Sequence, residues 1–194
     1  MSESRQERAA RNVDAILDAA EDALVGGKAI NFSTLAADAG VSRPTVYSHF
    51  PDRAQLLEAV VRRNAAQVVA AVESAEPGDD DPVAALRRVI CAGWEPLARH
   101  HALAGAIRGE IAPESVHAAH HQAVAVFGRL ISRGRSQGAF RTDVPVGWLV
   151  TASLALVHAS AAATRSGQMS SRAALNALNA TVVDLCCGCG AGPG

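Results

Sequence analysis

The chain has 194 residues, 49% of them hydrophobic and only 4% aromatic, with a formal net charge of −1. That apolar content excludes a disordered chain, and abundant alanine with few β-branched runs favours helix over sheet. The charge excludes any argument for nucleic-acid binding from bulk basicity. Even residues 1–53 hold more acids than bases, so such an argument must rest on where the bases sit.

No stretch alternates apolar and polar residues for long, and the fold class predicted is all-α. The N-terminal MSESRQERAARN is polar and has no apolar signal core. No unbroken run of about 18 apolar residues is seen. The expectation is a cytoplasmic protein with no membrane partner. Three of the four cysteines crowd together at Cys186, Cys187 and Cys189, which does not suit a disulfide framework.

In chain order, a first helix is predicted over 6–25, where Val13, Ile16, Leu17, Ala20 and Leu24 form one stripe on a 3.6-residue period. Gly26-Gly27 ends it. Asn31 is placed to cap a short second helix running to Ala39, and Gly40 supplies the left-handed residue that closes it. Ser42 caps a third helix reaching Phe50, with Pro44 in its first turn, where the missing N–H costs nothing. Pro51-Asp52 breaks the chain again, and a long helix follows over 53–74 with Leu57, Val61, Val68 and Val72 on its buried side. After the loop EPGDDDP come apolar-periodic segments at 83–99, 101–109, 114–137, 145–165 and 170–187, broken at Pro96, Pro113, Gly134, Gly138, Pro145 and Gly167. The total is about nine helices. The organisation expected is three small helices over 1–53, a connecting helix and a helical bundle over 54–187, and a loose tail, GCGAGPG, at 188–194.

Two short helices joined by Gly40-Val41-Ser42 have helix-turn-helix spacing. Val46 and Phe50 point together toward Leu35 and the first helix. At about 100° per residue, Pro44 and Ser48 lie opposite them, flanked by Thr45 and Tyr47. A helix with so small and polar an outer face fits the major groove of B-DNA. Arg43 then reaches base edges, and Tyr47, His49 and Arg53 are placed for phosphates. Asn31 and Ser33 add hydroxyl, amide and backbone donors at the start of the second helix. Arg5, Arg8 and Arg11 are read as a flexible basic arm. The competing reading is a purely structural helix-turn-helix, against which the Tyr-x-His pair has no evident core role.

The stretch LAADAGVSRPTVYSHFPDRAQLLEAV, preceded by AILDAAEDAL, resembles the N-terminal signature of TetR-family transcriptional regulators across 11–61. A weaker echo, GAFRTDVPVGWL at 138–149, is similar to the Gly-x-x-Arg-x-Asp connection that precedes that family's dimerisation helices. The resemblance implies that Thr45, Tyr47 and His49 face DNA, with Tyr47 and His49 on the backbone. Arg53 stands where the family usually has Lys and keeps the charge while adding a fork. Pro44 stands where a small residue is usual and removes one N–H. The resemblance further implies a homodimer on a palindromic double-stranded DNA operator, its recognition helices about 34–36 Å apart. A small-molecule effector in the C-terminal bundle would release it, so the function implied is a ligand-responsive repressor. No cofactor and no enzymatic activity are implied.

In the C-terminal half, Val150, Leu154, Val157 and Ala161 form one stripe and Leu175, Leu178, Val182 and Leu185 another, interleaved with small residues. Small residues allow close helix approach, which suits a twofold four-helix interface. The same stripes would also serve packing inside one subunit. Trp94, Phe127 and Trp148 are the large side chains able to shape an effector pocket, with Cys91, His100, Arg108 and His120 as polar contacts, although each aromatic also suits a core. The strongest rival chemistry lies in SVHAAHHQAVAVF. His117 and His121 at i and i+4 have metal-ligand spacing, and Glu114 or Glu110 could complete a metal sensor or metallohydrolase. No second ligand pair declares itself, and no metal is expected. Cys186, Cys187 and Cys189 are too close together for one tetrahedral site.

Overall fold

A computed structural model describes residues 4–75, 81–107, 110 and 113–188, without the side chains of 101, 104 and 113–123. These residues form eight helices and no strand: α1 (Arg5–Val25), α2 (Phe32–Asp38), α3 (Arg43–His49), α4 (Arg53–Ser74), α5 (Pro82–Ala106), α6 (Pro113–Ser136), α7 (Val146–Arg165) and α8 (Ser171–Cys187). The count falls one short of the expected nine because 83–99 and 101–109 are not two segments. α5 runs through Pro96, which sits inside the helix. A mid-helix proline removes one hydrogen bond. Burial of Leu86, Val89, Ile90 and Trp94 on the turns before it offsets that loss.

The chain separates into two compact units, one of residues 1–64 with 102–116, the other of 65–101 with 117–194. α4, α5 and α6 each contribute residues to both.

In the first unit, local rules set the helix ends. Ser4 accepts the Glu7 N–H and the Glu7 carboxylate accepts the Ser4 N–H, a reciprocal cap that starts α1. Arg5, Arg8 and Arg11 therefore lie in helix, which corrects their expectation as a flexible arm. Asn31 Oδ1 accepts the Ser33 N–H and Ser42 Oγ the Thr45 N–H, as the N-cap assignments require. Gly40 takes φ +66°, a conformation that costs a side-chain-bearing residue about 1–2 kcal/mol. α4 has a cap the sequence reading did not assign: Asp52 accepts the Gln55 N–H at 2.9 Å. The core is Ile16, Leu17, Ala20 and Leu24 of α1 packed with Leu35, Val46, Phe50, Leu56, Leu57 and Val60, closed by Leu103 and Ile107. Arg63 ties α4 to α1: its Nε and Nη2 donate to Glu21 Oε1 at 3.1 and 2.8 Å, and Nη1 donates to the Asp14 carbonyl.

In the second unit, α7 and α8 form the most extensively packed helix pair. Val150, Val157, Ala161, Leu178 and Val182 are buried within this subunit, and Leu154, Leu175 and Leu185 pack against the same core. The stripes expected to face a partner are thus the inner surfaces of their own hairpin. The exposed side of α7 is a different set, Trp148, Thr151, Ala155, His158, Ala159 and Ala162, with Ala173, Ala177, Ala180 and Thr181 exposed on α8. α7 is also long and apolar enough to cross a membrane by length and composition. Thr151, Ser153, His158 and Ser160 interrupt its apolar sequence without adding a full charge, so its mean hydropathy stays high although no apolar run is continuous.

The connection from α6 to α7 is fixed at three points. Gly138 adopts φ +72°. Arg141 holds Asp143 through two hydrogen bonds, at 2.7 and 2.5 Å, and its N–H donates to the Cys186 carbonyl at the end of α8. Phe140 is buried against Gly134, where a Cβ would overlap the phenyl ring. The Arg141 guanidinium holds the Asp143 carboxyl down at about 2. Burial pushes the Cys186 thiol up to about 11, and Cys187 is raised for the same reason, so neither is poised as a reactive thiolate. Cys189 lies outside the described residues.

Candidate nucleic-acid interface

α3 is seven residues long and has one core face. Val46 is fully buried and Phe50 nearly so, which orients the remaining positions. Arg43, Pro44, Tyr47 and Ser48 are exposed, while Thr45 and His49 are half-buried. The exposed row is small, polar and donor-rich, as the helical wheel expected.

Its members are ordered by local contacts. Tyr47 is 43% exposed, and its ring leans on Phe32, with centroids 5.0 Å apart and planes tilted by 54°. The Arg43 guanidinium lies over the Tyr47 ring at 5.5 Å, and its Nη2 donates to the Tyr47 hydroxyl at 3.4 Å. A guanidinium over an aromatic face is favourable, by about 0.5–1 kcal/mol where exposed. Arg43 and Tyr47 are thus a pre-arranged pair rather than two independent probes. Ser48 Oγ donates to the Thr45 carbonyl at 2.8 Å, and Thr45 Oγ1 lies 2.7 Å from Ser42 Oγ, so both hydroxyls already have local partners.

An open groove lies beside this row, lined by Asn31, Phe32, Ser33, Arg43, Tyr47, Asp52 and Arg53. The structure brings Asn31, Ser33, Arg43, Tyr47 and Arg53 together there. The Ser33 N–H is spent on the Asn31 side chain, which corrects its expectation as a free backbone donor. Arg53 is also engaged. Nε and Nη2 donate to Glu110 Oε2 and Oε1 at 2.6 and 3.1 Å, and Nη1 to the Ile30 carbonyl at 3.2 Å. The hydrogen bond and the opposite charge raise the Arg53 pKa and lower that of Glu110. Sequence reasoning missed two members of the site. Phe32 was legible as an aromatic directly after the α2 cap. Glu110, 57 residues from Arg53, left no local signal.

In the second unit a narrow apolar cavity of about 40 Å³ lies among α4 to α8. Trp94 and Phe127 line it, together with Val72, Ile90, Leu154 and His158. The Trp94 Nε1–H is satisfied by Ser171 Oγ at 2.9 Å. Trp148 does not shape the cavity: it is 60% exposed and belongs to the outer face of α7. Cys91 is also outside it, accepting a hydrogen bond from Asn179 Nδ2 at 3.3 Å, and His100 is half-buried away from the lining. Arg108 and the side chains of His120, His117, His121 and Glu114 lie outside the described residues. Among the described residues no group of three or more His, Cys, Asp or Glu side chains is arranged to hold a metal. Glu110, one of the carboxylates considered for that role, is committed to Arg53.

Known proteins place this geometry in context. Residues 16–60 match the family model described as bacterial regulatory proteins, tetR family. Over 76 residues the chain is 42% identical to the HTH-type transcriptional repressor LfrR of Mycolicibacterium smegmatis, a stretch covering 39% of this chain and 40% of that protein. The match thus spans about two fifths of that relative's length. Solved structures resemble nearly the whole chain, among them the following pair. LfrR from Mycobacterium smegmatis in complex with proflavine superimposes with a TM-score of 0.68 at 26% identity, covering 92% of this chain and 98% of that one. The TetR-family transcriptional regulator PfmR from Thermus thermophilus does so with a TM-score of 0.70 at 25% identity, covering 89% and 97%. Residues 16–60 thus resemble the helix-turn-helix segment of the tetR family of bacterial regulatory proteins, and nearly the whole chain is similar in fold to solved TetR-type transcriptional regulators.

Proposed function

We propose that the protein is a ligand-responsive repressor that binds a palindromic operator as a homodimer and is released by a small-molecule effector. Residues 1–53 carry the DNA reader and 54–187 the effector and dimer functions. The observation that carries the reading is the exposed α3 row, with Arg43 and Tyr47 stacked and presented outward over the buried Val46 and Phe50. In this reading Arg43, Pro44, Thr45 and Ser48 lie along base edges in the major groove. Tyr47, His49, Asn31, Ser33 and Arg53 face phosphates.

The apolar lining of the cavity, with Trp94 and Phe127 as walls, supports a hydrophobic effector, for which the cavity must widen from its present size of about 40 Å³. α4 carries both Arg53 and the cavity residues Val68 and Val72, so one helix serves reader and sensor. The alanine-rich outer faces of α7 and α8 support a twofold contact. They include the exposed Trp148, and small residues let partner helices approach closely. That contact replaces the inner stripes as the proposed dimer surface.

Selection of bound duplexes from a random DNA pool, beside a Tyr47→Ala control, tests this function. An enriched palindrome that vanishes in the control is the expected result. A folded wild-type protein that enriches nothing, with and without extraction of bound small molecules, would overturn the reading.

A further inference from the structure

Arg53 lines the groove beside the recognition helix, yet its guanidinium is already occupied. A guanidinium fork binds a carboxylate and a phosphate through the same two parallel N–H groups. In Arg53 those groups, Nε and Nη2, both donate to Glu110, and the third nitrogen donates to the Ile30 carbonyl. Each nitrogen therefore has an acceptor, and the bidentate edge carries a carboxylate where the DNA reading puts a phosphate.

Glu110 is not a passing rim contact. Its N–H donates to the Ile107 carbonyl at 3.0 Å, and Ile107 and Leu103 are buried in the same core as Leu56 and Leu57 near the start of α4. The backbone that carries Glu110 is thus held by packing. The two side chains are 38% and 39% exposed, so their exchange for another partner needs no opening of a core. An exposed pair of this kind shifts an equilibrium by about two- to fivefold.

We propose that Glu110 is an internal competitor for the phosphate site, holding Arg53 in the DNA-free protein and thereby setting its affinity for DNA. Binding requires Arg53 to exchange Glu110 for a phosphate, which lowers affinity, and removing the Glu110 charge relieves that cost. The proposal rests on the DNA-binding function above.

The test uses the full chain as wild type, Glu110→Gln, Arg53→Ala and the double variant, titrated with a short random-sequence duplex pool over a series of KCl concentrations. Melting temperatures check that all four are folded, and Glu110→Ala serves as a second replacement. Glu110→Gln is expected to bind about two- to fivefold tighter with a nearly unchanged log–log salt slope, because Arg53 reaches the same phosphate in both proteins once DNA is bound. In the Arg53→Ala background the same replacement is expected to gain nothing. An equal gain in both backgrounds would show general charge repulsion and overturn the competitor role. Unchanged or weaker binding by Glu110→Gln would overturn it as well. If none of the proteins bound any duplex, the DNA-binding function itself would fall and the competitor with it. Binding by wild type without a Glu110 effect overturns the competitor alone.

Discussion

Two arginines ten positions apart on α4 make the same kind of bond to different ends. Arg63 donates to Glu21 and to the Asp14 carbonyl, with side-chain exposures of 19% for Arg63 and 4% for Glu21. Arg53 donates to Glu110 with both partners more than a third exposed. The first pair is shut into the packing of α1 against α4, with Asp18 adding a second carboxylate to Arg63 at 2.9 Å. The second lies on a groove open to solvent, where an anion from outside presents the same acceptor geometry. Burial, not bond length, separates a structural pair from an exchangeable one: the shorter contact is the exposed one, at 2.6 Å.

Substitutions can break that contrast. Glu21→Ala removes the buried partner of Arg63 but leaves it Asp18 and the Asp14 carbonyl, and is expected to cost about 2 kcal/mol of stability. Urea denaturation would measure it, and a loss below about 1 kcal/mol would erase the distinction between the pairs. Arg43→Ala is expected to leave stability nearly untouched but to relax base preference by about 1–3 kcal/mol at its contacted position. Competition among operator variants reads that out. Arg53→Ala should weaken all duplexes alike and flatten the salt slope by about 1, with a stability change under about 1 kcal/mol. If the Arg43 and Arg53 variants behaved alike across operators, the division between base and phosphate contacts would be wrong.

The smallest effect is in pH. The Glu110 carboxyl is held below its ordinary value by Arg53, so the folded state binds its proton less readily than the unfolded chain does. Its contribution to stability is present above the ordinary carboxylate pKa and is lost as pH falls through the lowered value. Urea midpoints of wild type and Glu110→Gln should differ near neutral pH and converge in acid. A gap that persisted there would point to a contact other than the ion pair.

The legible parts of the sequence were those decided within a few residues. Asn31 and Ser42 as caps, Gly40 as the left-handed closure and the inward aim of Val46 and Phe50 all follow from local chemistry. α3 touches its core from one side only, so periodicity alone separates its faces. α7 offered no such contrast. It is apolar through most of its length, and a stripe of Val150, Leu154, Val157 and Ala161 looks the same whether its neighbour is α8 or another subunit. Pro96 misled because a breaker signal is weighed without knowing what the surrounding turns bury. Partnerships across long separations, Arg53 with Glu110 and Arg63 with Glu21, were invisible because opposite charges abound and only the fold selects among them.

The pairing of Phe140 with Gly134 bears on how this sequence can drift. The ring fills the volume in which a side chain at 134 would begin, so position 134 is closed to every other residue while phenylalanine stands at 140. Shrinking 140 first opens a void in the core, and enlarging 134 first forces an overlap. Neither single step is neutral, so an evolutionary path that changes this corner must pass through a less stable intermediate or alter both positions together.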